Sequence, residues 1–323
     1  MGKLIHNNFR PQWWLRSPHL QTIWPSLFRK RADFTPEWER VELDDGDFID
    51  LAWHRHTNPA APVILMIHGL EGSLESHYAG NMLAALHAAG FSPVLMHLRG
   101  RGREPNRLPQ SYHSGATDDL RLILDHLQQK QQSPAAAIGV SLGGNLLLKY
   151  LGEEGANSPL QSAIAISVPF QLGACAAQLQ NGFARIYGQY LLRKLRESYR
   201  NKFSRMPSPL NVEVSELKTL WQFDHRVTAP LHGFKGADDY YQQCSCTQFL
   251  GNIATPTLIL HAQDDPFMTP EVVPAAEQLS DKVTLELSRY GGHVGFIEHK
   301  KGSGLHYRLE QRVVEALSGI KMC

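Results

Sequence analysis

Ala136-Ala137-Ile138-Gly139-Val140-Ser141-Leu142-Gly143-Gly144-Asn145 is the stretch on which the fold turns. The apolar run Ala135 to Val140 reads as a buried strand. Leu142, Leu146, Leu147 and Tyr150 recur at helical spacing and predict a helix from Leu142 to Tyr150. Between them lies Gly139-x-Ser141-x-Gly143. A serine on a sharp strand-to-helix turn projects its hydroxyl, and the flanking glycines leave room for neighbouring backbone. The helix start puts backbone N–H groups and the positive end of the dipole where an oxyanion would form. Alone the five-residue pattern is weak, and a glycine-bounded serine in an ordinary turn would also produce it. A buried strand before it and a helix after it make it a nucleophile elbow.

Working outward, Val63 to Ile67 is a continuous apolar run, a strand covered on both faces. A helix over Ser76 to Ala89, closed by Gly90, leads to a strand from Phe91 to Leu98. Arg99 to Pro109 is a Gly/Arg/Pro-rich loop, and Thr117 to Lys130 a helix. Ser162 to Val168, Thr257 to Ala262 and Val283 to Leu287 are further strands, with helices near Pro270–Leu279 and Leu305–Leu317. Strands alternating with helices predict a parallel sheet covered on both faces. Trp38–Leu43 and Phe48–His54 flank Asp44-Asp45-Gly46, a hairpin signal, so the eight-stranded sheet is only mostly parallel. The alternation breaks over 170–250, which has no convincing central strand. Its 174–205 stretch reads as helical, with a basic stripe expected on a solvated face and a docking site for anionic lipid or acidic substrate as the alternative. The division is therefore an arm (1–35) packed on the core, an α/β core (36–169 and 251–323) and a helical cap insertion (170–250). In residues 9–30 of the arm, aromatic and aliphatic side chains mix with arginine and lysine. They are expected to anchor the arm, with an acyl pocket or a membrane surface as the alternative contact.

Composition narrows the function. The 323 residues are 42% hydrophobic, enough for a large core, and the net charge of +1 argues against a nucleic-acid binder. Cys175, Cys244, Cys246 and Cys323 have no framework or zinc spacing and read as reduced thiols, hence a cytoplasmic protein. The start has no signal-peptide core, and no apolar stretch is long enough to span a membrane. The 16 histidines lack ligand spacing, so no metal is expected. Phosphate-loop and dinucleotide-loop patterns are missing, so no cofactor is expected either.

A serine nucleophile needs a base, and the base needs an orienting carboxylate. His293, in Tyr290-Gly291-Gly292-His293-Val294-Gly295-Phe296, follows the last core strand. Asp264 and Asp265 follow the strand ending at Ala262. Asp265, directly before Pro266, is the preferred acid, with Asp264 as the alternative. The oxyanion donors are assigned to the N–H groups of Leu142 and Leu70, the latter in His68-Gly69-Leu70-Glu71-Gly72. His68 is assigned to supporting that loop.

His68-Gly69, Arg99-Gly100, Gly139-Val140-Ser141-Leu142-Gly143, Asp264-Asp265-Pro266 and Gly292-His293 together resemble the α/β-hydrolase superfamily. With His19-Leu20-Gln21-Thr22 and Asp239-Tyr240-Tyr241 they are similar to its AB hydrolase 4 group. That group holds bacterial esterase-like proteins, eukaryotic lipid hydrolases and yeast acyltransferase/esterases. The resemblance implies Ser141, Asp265 and His293 as a charge-relay set, and a small-molecule ester or lipid as substrate. Two other outcomes stay open: acyl transfer to an alcohol, and a ligand-binding homologue without turnover. Oligomeric state is not legible.

Overall fold

In chain order, the computed structural model, which describes residues 1–300 and 304–320, begins with strand β1 (Lys3–His6) and helix α1 (Pro18–Phe28). β2 (Glu37–Glu42), β3 (Phe48–Trp53), β4 (Val63–Ile67), α2 (Ala79–Ala88) and β5 (Ser92–Met96) follow. Next come α3 (Thr117–Gln129), β6 (Pro134–Val140), α4 (Leu142–Glu154) and β7 (Ser162–Ile166). A helical stretch holds α5 (Leu172–Gln178), α6 (Ala184–Phe203), α7 (Leu220–Phe223), α8 (Ala229–Leu231) and α9 (Ala237–Cys244). The chain closes with β8 (Thr257–Ala262), β9 (Val283–Ser288), β10 (Ile297–Lys300), β11 (Gly304–Tyr307) and α10 (Arg308–Leu317).

The main sheet runs β1-β9-β8-β7-β6-β4-β5-β3-β2. Only the β5–β3 and β3–β2 pairings are antiparallel. It has nine strands, not the expected eight. The addition is β1, which pairs in parallel with β9, Lys3 opposite Thr284 to His6 opposite Leu287. Its four side chains are exposed, so backbone pairing alone marks it and no apolar pattern announces it.

Alternate residues of the central strands feed two apolar layers. Leu65 and Ile67 join Leu120, Leu127, Leu146 and Leu147, from α3 and α4, on one face. Ile64, Met66 and Ile138 join Met82 and Leu86 of α2 and Val313 and Leu317 of α10 on the other. Each buried aliphatic side chain contributes about 1.5–3 kcal/mol, and strands covered on both faces collect that from every residue. A third cluster, including Leu172, Leu192, Leu220, Phe223 and Tyr241, sits within the helical stretch.

Three expected helices differ. Pro270–Leu279 forms two short 3-10 turns, Pro270–Val272 and Ala276–Gln278. Pro274 has no N–H and crowds the preceding turn, so a continuous helix is blocked. The last helix begins at Arg308, because Gly304–Tyr307 pairs antiparallel with Ile297–Lys300 instead. The 174–205 stretch breaks between α5 and α6, where Gly182 takes φ 49°. Nor is its basic stripe all solvated. Lys202 is buried, its ammonium donating to Asn106 Oδ1, Gln110 O and Ser111 Oγ at 2.7–2.9 Å.

The arm is fastened by one side chain above all. Gln21 is fully buried; its amide donates to Leu15 O and Ile297 O, and its carbonyl accepts from Ile297 N–H at 2.7 Å. Gln21→Ala leaves these groups unpaired and should cost about 2–4 kcal/mol in urea unfolding, whereas Leu27→Ala, on the exposed side of α1, should stay within about 0.5. Equal losses would show that the amide does not hold the arm.

Candidate active site

Ser141 sits at the carboxyl end of β6, where the strand order reverses between β4 and β7. Open α/β sheets leave a crevice at such a point. Its backbone takes φ 53°, ψ −119°, a conformation costly for a side-chain-bearing residue. Close packing enforces the turn. A Cβ on Gly139 would lie 2.4 Å from Gly143 O, and one on Gly143 2.5 Å from both His68 O and Ile67 O. Only glycine permits β6, α4 and the end of β4 to approach this closely.

Residues 152 positions apart meet here. Ser141 Oγ lies 3.0 Å from His293 Nε2, and His293 Nδ1 lies 2.8 Å from Asp265 Oδ2. Asp265 and His293 are buried. The other Asp265 oxygen accepts the Phe267 N–H at 2.9 Å, so the carboxylate is fixed in rotation. The neighbouring aspartate does something else. Asp264 Oδ1 accepts the Gly292 N–H at 2.9 Å, bracing the histidine loop from outside the serine–histidine line. Burial pushes the Asp264 carboxyl up to about 6.

Three further residues position His293. Its N–H donates to Thr22 Oγ1 at 2.9 Å, and the Thr22 hydroxyl donates to Pro18 O. The next N–H, of Val294, donates to Ser167 Oγ at 3.1 Å. The Phe267 ring stacks on the imidazole, centroids 3.9 Å apart and planes 5° from parallel. The sequence reading named none of the three in this role. Thr22 lay inside the quoted His19-Leu20-Gln21-Thr22 motif, but a motif does not say what its hydroxyl meets. Ser167 and Phe267 carry no local signal.

Beside the serine, the turn after β4 is held from several directions. Gly69 N–H donates to Tyr78 Oη, Glu71 N–H to Tyr112 Oη, and Gly72 N–H to Gly69 O. Among the described residues, no protein acceptor takes the N–H of Leu70 or of Leu142. His68 is fully buried and braces this turn. Its Nε2 accepts the Leu98 N–H at 3.0 Å, which leaves Nδ1–H to donate to Gly69 O. Burial lowers its pKa to about 3, so it stays neutral. A cavity of about 300 Å³ adjoins, lined by Leu70, Leu142, Tyr112, Ser198 and Lys202 among others. Among the described residues, no group of three His, Cys, Asp or Glu could hold a metal ion. Cys175, Cys244 and Cys246 are buried free thiols; Cys323 lies outside the described residues.

A family model for the alpha/beta hydrolase fold matches residues 62–300. The chain belongs to that family. It is 44% identical over 310 residues to the Escherichia coli protein named "Putative esterase YheT", covering 93% of this chain and 90% of that one. It is 30% identical over 307 residues to phospholipase ABHD3 of Mus musculus, covering 91% and 74%. The solved Pyrococcus furiosus esterase Pf2001 shares the fold, with a TM-score of 0.60 at 17% identity over 90% of this chain and 96% of that one. This is an α/β hydrolase of the esterase and lipase type. Among its described residues no helix is long and apolar enough to cross a membrane.

Two predictions follow from the bracing of His293. Thr22→Val keeps the shape of the side chain but removes the acceptor for His293 N–H. It should lower kcat about tenfold with KM little changed, measured on a soluble ester. Equal kcat in the two proteins would exclude the contact as a positioning device. Asp264 has a raised pKa, so between about 4 and 6 the native state holds a proton that the unfolded chain releases. Stability therefore falls as pH rises through that window, and Asp264→Asn should flatten the fall. Urea midpoints at both ends of the window decide it; parallel curves for the two proteins would refute it.

Proposed function

We propose that this hydrolase is a carboxylesterase that cleaves short- to medium-chain acyl or lipid esters through a covalent acyl-serine. The observation that carries the reading is the continuous line from Ser141 Oγ through His293 to Asp265, beside two N–H groups that no acceptor takes among the described residues. Ser141 Oγ attacks the ester carbonyl while His293 Nε2 takes its proton. Asp265 holds the Nδ1–H tautomer and stabilises the imidazolium that forms. The carbonyl oxygen becomes an oxyanion, which the N–H groups of Leu142 and Leu70 receive. A preorganised donor of this kind is worth about 2.7–4 kcal/mol in other enzymes. The tetrahedral intermediate collapses and the alcohol leaves with the proton from His293. Water, deprotonated by His293, then attacks the acyl-serine and releases the acid. The helices of 170–250 act as a cap, and Tyr187 and Phe267, with ring centroids 5.1 Å apart, cover the histidine from that side. A lipid-type substrate is supported by this apolar cover and by the name of the phospholipase relative.

Initial rates on p-nitrophenyl esters from acetate to palmitate test the reading. A rate optimum among the shorter chains is expected. Ser141→Ala should lower kcat by at least about four orders of magnitude while unfolding normally. Asp265→Asn should cost about 10⁴-fold and Asp264→Asn less than about tenfold. Ester hydrolysis that survives in Ser141→Ala, or a larger loss at Asp264 than at Asp265, would overturn the assignment.

A further inference from the structure

We propose that the outer faces of α1 and α6 form one docking surface for an anionic lipid bilayer. Isolated exposed apolar side chains are ordinary on a protein surface, but a contiguous set is not. On α1, Leu20, Trp24, Leu27 and Phe28 fall on the side opposite buried Gln21, Thr22 and Pro25; Leu27 is 68% and Phe28 62% exposed. On α6, Phe183, at its start, Ile186 and Tyr190 recur at i, i+3 and i+7 and stay about half exposed, with Ile186 at 56%. The two sets are joined. His19 of α1 packs against Phe183 with ring centroids 4.1 Å apart and bonds Tyr187 Oη at 3.0 Å.

The charge around this surface names the partner. Residues 1–32 contain six lysines and arginines and no acid. α6 contains six more against one glutamate, Glu197. Arg16, Lys30, Arg185 and Arg193 are exposed beside the apolar side chains, and Lys194 and Arg193 both reach over the Tyr190 ring. The whole chain carries only +1, so the rest of the molecule is net acidic; of these twelve cations Lys202 is buried at the far end of α6, and Arg29 and Arg31 pair with Glu310 and Glu75. Apolar side chains framed by cations suit a bilayer interface with anionic headgroups. The position suits the chemistry as well. Tyr187, one turn from Phe183, packs on Phe267, which stacks on His293. Three rings therefore separate the surface from the proposed base. The inference rests on the ester reading only for its purpose, delivery of a lipid ester, and not for the binding itself.

Flotation of the full chain with vesicles of phosphatidylcholine, with and without phosphatidylglycerol, tests it. The protein should float with the anionic vesicles and lose that binding at high salt. The double variant Leu27→Asp/Ile186→Asp should bind at least about tenfold more weakly, yet hydrolyse soluble p-nitrophenyl butyrate at the normal rate. Ser141→Ala should float like the unaltered protein. Docking therefore stands or falls separately from catalysis. Three results would overturn the proposal: no flotation, flotation unaffected by the double variant, or light scattering that shows a dimer which the double variant dissociates. The last would assign the face to a second copy of the chain.

Discussion

The placement of one imidazole governs the rest of this structure. His293 lies on a loop with four positions at positive φ: Gly291 at 150°, Gly292 at 56°, Val294 at 59° and Phe296 at 47°. Such a loop does not hold itself; its surroundings must over-determine it. They do so from three directions. The end of β8 supplies Asp264 and Asp265, the end of β7 supplies Ser167, and the arm supplies Thr22 and Gln21. The arm comes closest of all. A Cβ on Gly292 would lie 2.6 Å from Pro18 O, and one on Gly295 2.2 Å from Gln21 O. The first thirty residues are therefore part of the site's framework, though among the described residues no arm side chain hydrogen-bonds the serine hydroxyl.

What the sequence disclosed follows from this division. Strands buried on both faces must be apolar throughout, so β4, β6, β7 and β8 could be read from local composition. The elbow was legible because its glycines answer a steric demand only a few residues wide. The preference for Asp265 over Asp264 rested on the adjacent Pro266, and it is Asp265 that lies against His293 Nδ1. β1 was invisible because edge pairing through backbone leaves no mark on side chains. Thr22, Ser167 and Phe267 were missed for a related reason. Each acts through a single contact with a residue more than twenty positions away, and no periodicity encodes that. The two 3-10 turns were misread as a helix although Pro274 stood in the middle.

The turn that carries Leu70 rests on a second network, one that buries charge. Arg99, 8% exposed, bonds Asp119 through two nitrogens and also reaches Asp45 and Asp47. Asp47 in turn accepts from the Arg107 N–H and the Asn106 amide. An isolated buried charge would be costly, but each member here has partners of opposite sign or polar donors. The network fixes the loop from 99 to 112, and Tyr112 at its end bonds both the N–H and the carboxylate of Glu71. Glu71 takes φ 53°, next to Leu70. A buried arginine with three aspartates thus braces the loop whose Tyr112 holds the residue next to Leu70.

Glu71 also links this turn to the helical stretch. Its second carboxylate oxygen accepts the Ser198 hydroxyl at 2.5 Å and pairs with Arg101 at 3.0 Å. Ser198 stands on α6, the same helix that begins beside Phe183 and carries Ile186 and Tyr190 outward. A helix of 20 residues is about 30 Å long. Its first turns face solvent with apolar side chains, its middle bonds Glu71 through Ser198, and its end buries Lys202 against the loop from 106 to 111. The surface of this enzyme and its proposed oxyanion site therefore share one structural member.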